Sequence, residues 1–145
     1  YARGNNRQTV FKKSVDYEAL LERLSFYKRK YAVRIYGYCP MPTHFHLLID
    51  LFPTIKIQKF MQGLLLSYSS YYRTTHNYCG HVWQGRFQHR MVNKDKYVLD
   101  CISYIERNPV RAGLVNTVEE WPWGSYHERV LGKKTYSLIS EIKLY

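Results

Sequence analysis

The chain has 145 residues, of which 46% are hydrophobic, and its 22 lysines and arginines outnumber its 11 acidic residues. This length is typical of one domain with a substantial core, and no apolar run is long enough to span a bilayer, which argues against a membrane protein. The formal net charge of +11 favours a polyanionic partner, most often nucleic acid. Three scattered cysteines without a CxxC spacing argue against a disulfide framework and favour a cytoplasmic location.

The start of the chain predicts a basic turn followed by a helix. Because the chain opens at Tyr1 without an initiator methionine, we expect the first strand to be largely truncated ahead of the turn. Arg3 and Arg7 lie in this turn and are candidates for phosphate contacts, with an ordinary solvated loop as the alternative. Asp16 is predicted to cap the first helix, whose apolar stripe covers residues 17–27.

Two strands and a second helix are predicted next. Residues 31–38 are rich in β-branched and aromatic types, which favours a strand. Residues 39–42 form a tight connection to the strand that contains the two histidines, so the two strands should be antiparallel neighbours. Pro53 closes the strand that contains the histidines. Helical spacing of apolar residues then predicts a helix from residue 54 to about residue 75.

A further strand is predicted from the alternation of residues 82–91. Its polar face would carry Gln84, Arg86, Gln88 and Arg90. Such a row suits contacts with phosphates or bases, and an ordinary exposed strand face is the alternative.

The third predicted helix covers residues 96–107. Asp95 should cap it, and Asn108-Pro109 should stop it, because the residue before a proline disfavours helical geometry. Helical spacing divides the helix into an apolar stripe and a second stripe a quarter turn away. The apolar stripe contains Val98, Ile102 and Ile105, and the second contains Tyr97, Cys101, Tyr104 and Asn108.

The order of these elements is β-α-β-β-α-β-α. It fits a single α+β domain, residues 1–145, with the ferredoxin-like sandwich architecture. In this arrangement two helices cover one face of an antiparallel sheet, and the third helix can lie across the other face.

A histidine pair lies at the start of the third strand, at His44 and His46. Because side chains alternate along a strand, both imidazoles should share one face, opposite a row formed by Phe45, Leu47 and Ile49. Two adjacent imidazoles suit a divalent metal, although the same pattern also occurs as a pair of hydrogen-bonded structural histidines.

A metal at this pair requires a third ligand from elsewhere in the chain. An asparagine oxygen suits Mg²⁺ or Mn²⁺ better than Zn²⁺. The sequence offers five candidates, namely Asn108, Asp50, His81, Gln84 and His89.

Metal ligands, tyrosines and basic charge together suggest a transesterification on DNA. A tyrosine hydroxyl would attack a phosphodiester while the metal polarises a non-bridging oxygen. Because the bond energy is kept in a phosphotyrosine link, no ATP is required, and no Walker-type GxxxxGK[ST] run is present.

Several strings in the chain resemble one known family. Residues 41–49, Met-Pro-Thr-His-Phe-His-Leu-Leu-Ile, resemble the histidine–hydrophobe–histidine (HUH) motif of the single-tyrosine, IS200/IS605-like transposases. Residues 80–87 and 104–115 are similar to the branch called REP-associated tyrosine transposases, as are residues 3–8 and 121–125. The resemblance covers nearly the whole chain with the motifs in the right order.

The resemblance implies a ferredoxin-like endonuclease and strand transferase that cleaves and rejoins single-stranded DNA near hairpins through a 5′-phosphotyrosine intermediate. Its substrate class is repetitive extragenic palindromes. It assigns His44, His46 and Asn108 as ligands of Mg²⁺ or Mn²⁺ and Tyr104 as the nucleophile. Tyr97, on the same helical stripe, is the rival nucleophile.

The sequence also predicts the DNA contacts and leaves some alternatives open. The family usually has asparagine where Thr43 stands and serine where Gly124 stands. A non-catalytic DNA-hairpin-binding protein and an RNA-binding domain are the alternative functions, and both a monomer and a homodimer are compatible with the sequence. The residues predicted to contact DNA are Arg3, Arg7, Gln84, Arg86, Arg90 and Arg111.

Overall fold

The computed structural model describes residues 1–54, 56–93 and 95–142. Two short 3₁₀ turns, Asn5–Arg7 and Val118–Glu120, accompany the strands and α-helices. The strands are β1 (Ala2–Arg3), β2 (Arg34–Met41) and β3 (His44–Asp50), and the helices are α1 (Ser14–Tyr31), α2 (Ile57–His76), α3 (Asp95–Arg111) and α4 (Tyr126–Arg129).

Strand β3 is the centre of an antiparallel sheet with the order β1-β3-β2. The predicted antiparallel pairing of β2 with β3 is confirmed, and its register places Cys39 opposite His46 and Met41 opposite His44. Because opposite residues of an antiparallel pair project to the same face, both histidines share a sheet face with Cys39 and Met41.

A fourth, extended segment follows the outer edge of β1. Trp83 forms an isolated antiparallel bridge with Gly4, and the Gln84 N–H donates to the Arg3 carbonyl at 2.8 Å. Further along, the Gln88 N–H donates to the Tyr1 carbonyl at 2.9 Å. With this segment beside β1, the sheet has the strand order of the predicted ferredoxin-like sandwich, and that fold class is confirmed.

The prediction of a regular strand over residues 82–91 is wrong. Among the described residues, only the bridge at Trp83 has strand pairing there. Gly85 adopts a φ of +57°, a left-handed conformation that interrupts the extended backbone between the hydrogen bonds to Arg3 and Tyr1. The alternation in the sequence therefore reports an edge segment with an irregular turn, not a continuous ladder.

The main core lies between the sheet and the helix pair α1 and α2. Phe45, which is 1% exposed, packs there with Leu47 and Ile49 against the buried stripes of both helices. The indole of Trp83 closes this core at 5.5 Å from the Phe45 ring. The prediction that this row faces the helices, and that the histidine row faces away from them, is confirmed.

Helix α3 covers the opposite face of the sheet. Ile102 and Ile105 form a smaller buried cluster with Cys39, Met41 and Leu48. The apolar stripe predicted on this helix is therefore confirmed as its packing face, and it holds α3 on the face that carries the histidines.

Two helix ends differ from the sequence prediction. Helix α3 continues through Pro109 to Arg111 and ends near Gly113, whose φ is +72°. Pro109 lies in the last turn, where the bias of its preceding residue is outweighed by packing and by the Leu114 N–H that donates to its carbonyl at 2.9 Å. The cap predicted at Asp95 depends on a side chain outside the described part of the chain.

The boundaries of the neighbouring strands and helices also shift. Residue 31, predicted as strand, ends α1, because Ala32 adopts a left-handed φ of 49°. Strand β2 then continues to Met41, so the connection to β3 is only Pro42-Thr43. Helix α2 begins at Ile57, and residue 55 of its predicted start lies outside the described residues.

Asp16 is not the N-cap of α1 but its third residue, and it is fully buried. Its Oδ2 accepts the backbone N–H groups of Lys12 and Lys13 at 2.8 and 3.0 Å. Its Oδ1 accepts the Tyr71 hydroxyl at 2.7 Å and His76 Nε2 at 2.9 Å. Burial raises the pKa of Asp16, but these hydrogen bonds outweigh burial and hold the pKa below its usual range. The carboxylate thus joins the start of α1 to the end of α2.

We expect Asp16→Asn to lower the free energy of unfolding by about 3 kcal/mol, because an amide leaves some of these donors without an acceptor. Since the folded pKa is depressed, the wild-type carboxylate stabilises the fold above its unfolded pKa, and this stabilisation is lost as the pH falls through the folded pKa. Urea unfolding should therefore show a difference in the free energy of unfolding between wild type and Asp16→Asn that is smaller at acidic than at neutral pH. Glu22→Gln, an exposed change on α1, is the control. A difference in the free energy of unfolding that does not change with pH would contradict this account.

Candidate active site

The two imidazoles lie side by side at the start of β3. Their ring centroids are 5.0 Å apart and nearly perpendicular, with an interplanar angle of 89°. In the β1–β3 register Arg3 is opposite His44, and the Tyr1 ring lies 5.6 Å from the His46 ring. The prediction that His44 and His46 share one sheet face is confirmed.

The site keeps both imidazoles neutral. Burial lowers the pKa of His44, and the Arg3 guanidinium lowers it further. Burial and, to a smaller extent, the neighbouring His44 lower the pKa of His46 to about 4. A neutral imidazole has the free ring nitrogen that a metal requires, so at neutral pH both side chains are in their ligating form.

Thr43 sets the orientation of the first imidazole. Its hydroxyl oxygen lies 3.0 Å from His44 Nδ1. A hydrogen bond at Nδ1 leaves Nε2 as the ring nitrogen available for coordination.

Helix α3 carries the predicted nucleophile on its exposed flank. Tyr104 is 50% exposed, and the Arg111 guanidinium lies 4.2 Å from the centre of its ring. Asn108 lies one turn further along and is partly buried; its Nδ2 is buried and has no hydrogen-bond partner in the part of the chain that the structure describes. Tyr97, the rival nucleophile, is 51% exposed on the same flank.

A buried carboxylate network fixes α3 to the segment that follows it. Glu106, 3% exposed, accepts hydrogen bonds from the Ser125 hydroxyl at 2.7 Å and from Arg129 Nε at 3.0 Å. Ser125 Oγ in turn accepts the Tyr38 N–H of β2 at 3.1 Å. This network is not predicted from the sequence, because a glutamate on a helix gives no periodic signal of burial.

A surface cavity of about 580 Å³ lies between α3 and the 3₁₀ turn at Val118–Glu120. Arg111, which stacks on Tyr104, lines it together with Arg107 and Arg129. Glu106 and Glu119 also line the cavity, and Glu106 pairs with Arg129, so Arg107 and Arg111 are the lining arginines nearest the predicted nucleophile on α3.

The other predicted ligands are placed apart from the histidine pair or at the surface. Asp50, at the far end of β3, accepts the Tyr36 hydroxyl at 3.2 Å and pairs with Arg34 at 3.6 Å. His81 and His89 lie exposed in the loop between α2 and α3. The described residues contain no cluster of three His, Cys, Asp or Glu side chains that could hold a metal.

Helix α3, which carries the predicted nucleophile, packs on the sheet face that carries the two imidazoles, but the tyrosine and the imidazoles do not touch. In the described structure Tyr104 makes no hydrogen bond and no ring contact with either histidine. The residues predicted to contact DNA are mostly at the surface, with only Arg3 partly buried. The exposed ones are Arg7, Gln84, Arg86, Arg90 and Arg111.

The fold, the neutral histidine pair and the helix with its exposed tyrosine agree with the transposase class that the sequence motifs resemble. The profile of the family described as "Transposase IS200 like" matches residues 2–108. The chain belongs to this IS200-like transposase family.

Individual relatives agree with this assignment. A Haemophilus influenzae protein provisionally named a REP-associated tyrosine transposase is 30% identical over 103 residues, which cover 63% of this chain. An Escherichia coli K12 REP-associated tyrosine transposase is 35% identical over 54 residues, or 36% of this chain. The matched regions span 58% and 33% of the lengths of these two relatives.

A solved structure of a REP-associated tyrosine transposase bound to a REP hairpin has the same fold. It superposes with a TM-score of 0.72 over 99% of this chain and 84% of that chain, at 21% identity. No described helix of the present chain combines the length and apolarity needed to cross a membrane.

Proposed function

We propose that this chain is a metal-dependent, single-tyrosine transposase that cleaves and rejoins single-stranded DNA at palindromic hairpins. The observation that carries the proposal is the pair of neutral imidazoles held on the sheet face beneath α3, the helix that bears Tyr104. Membership of the IS200-like transposase family and the hairpin-bound relative of the same fold support it.

The residues present fit a divalent cation. His44 and His46 offer two neutral ring nitrogens, and the buried amide of Asn108 has no hydrogen-bond partner at Nδ2. Because a carboxamide can be turned to exchange its nitrogen and oxygen, the same amide can present an oxygen to a cation. Mg²⁺ or Mn²⁺ bound there would polarise a non-bridging phosphate oxygen.

The covalent step belongs to Tyr104. Its hydroxyl oxygen attacks the scissile phosphorus, the bond from phosphorus to the 3′ oxygen breaks, and the proton lost by the tyrosine ends on that oxygen. The products are a 5′-phosphotyrosine and a free 3′-hydroxyl. Attack by a 3′-hydroxyl in the reverse direction rejoins DNA, so the cycle consumes no nucleotide.

The remaining requirement is that Tyr104 reach the phosphate at the histidine pair. Its ring is half exposed and is held only by the stacked Arg111, so rotation of the side chain disturbs no hydrogen bond among the described residues. The cavity beside Arg111, lined by three arginines and two glutamates, offers a path for the adjacent strand. We therefore expect bound DNA to bring the two groups together.

A capture experiment tests this proposal. The substrate is a library of labelled single-stranded oligonucleotides, each with one palindromic hairpin between randomised flanks. With Mn²⁺ present we expect a protein–DNA adduct that survives denaturing electrophoresis, is absent in EDTA, and yields one flank sequence on recovery. A library that gives no adduct with either Mg²⁺ or Mn²⁺ would contradict the catalytic proposal.

One observation favours a second function, a non-catalytic hairpin-binding protein. In the described structure Tyr104 and the imidazoles are not in contact, as would also hold for a decayed active site. Equal hairpin affinity with and without EDTA, combined with no adduct, would favour this function. The RNA-binding alternative is weaker, because α3 covers the sheet face on which such domains stack bases.

The Thr43 hydroxyl is expected to affect metal affinity, because it contacts a proposed metal ligand. We expect Thr43→Val to raise the Mn²⁺ concentration for half-maximal adduct formation about 10- to 100-fold, because His44 loses the hydrogen bond that orients its ring. Thr43→Ser keeps the hydroxyl and is the matched control. The measurement is a Mn²⁺ titration of adduct formation. Overlapping titration curves for wild type and Thr43→Val would show that the hydroxyl does not orient the ligand.

A further inference from the structure

Arg3 is a cation beside the histidine pair whose Nε has no hydrogen-bond partner among the described residues. It lies opposite His44 in the β1–β3 register and on the same sheet face. Its Nε is buried and has no hydrogen-bond partner, and no ion pair to its guanidinium occurs among the described residues. Its guanidinium carbon lies 5.9 Å from the centre of the Tyr1 ring.

A second arginine shows what distinguishes this one. Arg23 on α1 also has a buried Nε without a partner. However, its Nη1 donates to the Ala19 carbonyl at 3.1 Å, and its guanidinium lies 5.0 Å from the Tyr71 ring. Arg23 is therefore held by its own helix and its neighbour. Arg3 has no such hydrogen bond, and a buried guanidinium donor left without an acceptor is costly.

The surroundings of Arg3 favour an anionic acceptor. The described side chains around Arg3 are imidazoles and a phenol, and no acidic group joins the two histidines in a cluster. Among the described residues, no carboxylate pairs with the Arg3 guanidinium to balance its charge. A phosphate oxygen matches a guanidinium in charge and in hydrogen-bond geometry.

We propose that Arg3 is a catalytic residue whose guanidinium donates to a non-bridging oxygen of the scissile phosphodiester, next to the oxygen that faces His44 and His46. This inference rests on the proposed function and extends it. It separates Arg3, which is partly buried, from cations such as Arg86 and Arg90, which are exposed in the segment between α2 and α3.

The role predicts a loss in rate rather than in affinity. Negative charge grows on the non-bridging oxygens during phosphoryl transfer, and a pre-placed guanidinium stabilises it. We expect Arg3→Gln to slow single-turnover adduct formation about 100- to 1,000-fold, a range typical of one oxyanion donor, while hairpin affinity falls less than about fivefold. Arg3→Lys, a point charge without the planar fork, should recover only part of the rate.

The test uses the oligonucleotide recovered by adduct capture, with a second version that carries a methylphosphonate at the scissile position. Removing the charged oxygen should abolish most of the difference between wild type and Arg3→Gln, because the two changes delete the same contact. Arg29→Gln removes an exposed cation from α1, on the other side of the sheet, and should match wild type with both oligonucleotides. If Arg3→Gln keeps the wild-type rate while Tyr104→Phe does not, Arg3 is not catalytic and the proposed function still holds.

A readout without catalysis keeps the two proposals separate. The Arg3 Nε–H proton should move downfield in the NMR spectrum when a hairpin oligonucleotide with flanks is added, and the Arg29 signal should stay in place. A signal that does not move would overturn the phosphate contact, whether or not the protein forms adducts. If the wild type forms no adduct but the signal moves, the catalytic assignment of Arg3 fails together with the proposed function, and only its phosphate contact remains.

Discussion

Tyr104→Phe is expected to abolish the covalent adduct, with a fall of at least about 10⁴-fold in the rate of adduct formation, because the change removes the attacking oxygen. The fold should be unaffected. Tyr104 is half exposed and its hydroxyl makes no hydrogen bond among the described residues. The phenylalanine ring can still stack against Arg111, so the free energy of unfolding should change by less than about 0.5 kcal/mol. The measurement is adduct yield on denaturing gels, with thermal unfolding run in parallel.

Tyr97→Phe is the matched variant for this prediction. It removes the same atom from a residue of almost equal exposure, 51% against 50%, on the same flank of α3. Asn108 distinguishes the two, because it follows Tyr104 by one helical turn and Tyr97 by three. We expect Tyr97→Phe to form adducts at close to the wild-type rate. Adducts that persist in Tyr104→Phe and disappear in Tyr97→Phe would reassign the nucleophile.

The parts of this structure that the sequence predicts are those governed by local periodicity. Alternation on β3 separates Phe45 from the two histidines, and helical spacing separates Ile102 and Ile105 from Tyr104 on α3. Both separations are present in the structure because each reports which side of one element is apolar. The fold class follows from the order of such elements.

The parts that the sequence does not predict depend on contacts between distant segments. Asp16 is of a residue type favoured at N-caps, but its partners Tyr71 and His76 lie on another helix. Glu106 and Arg129 form a network that no local pattern reveals. The position of Arg3 opposite His44 likewise follows from strand register, which is set by the whole sheet.

The other large effect is expected at His46, where one substitution should lower activity and raise stability in acid. His46→Gln should lower metal-dependent adduct formation about 1,000-fold, because a ligand of the proposed cation is lost, and should leave hairpin affinity within about twofold. The same change should stabilise the protein in acid. The pKa of His46 is about 4 in the fold and 6.5 ordinarily, so the unfolded chain binds the extra proton between these values.

The sign follows from this difference in proton binding. Stability rises with pH wherever the unfolded state binds more protons, so wild type loses stability as the pH falls from 6.5 toward 4, by at most about 3 kcal/mol. Glutamine does not titrate, and the variant should unfold at higher urea than wild type at acidic pH, with a smaller difference at neutral pH. His127→Gln, on α4, is the control for both measurements. A His46→Gln protein that loses activity and is equally destabilised at both pH values would instead mean that the imidazole is structural. The proposed site requires the substitution to lower adduct formation and to raise the free energy of unfolding at acidic pH.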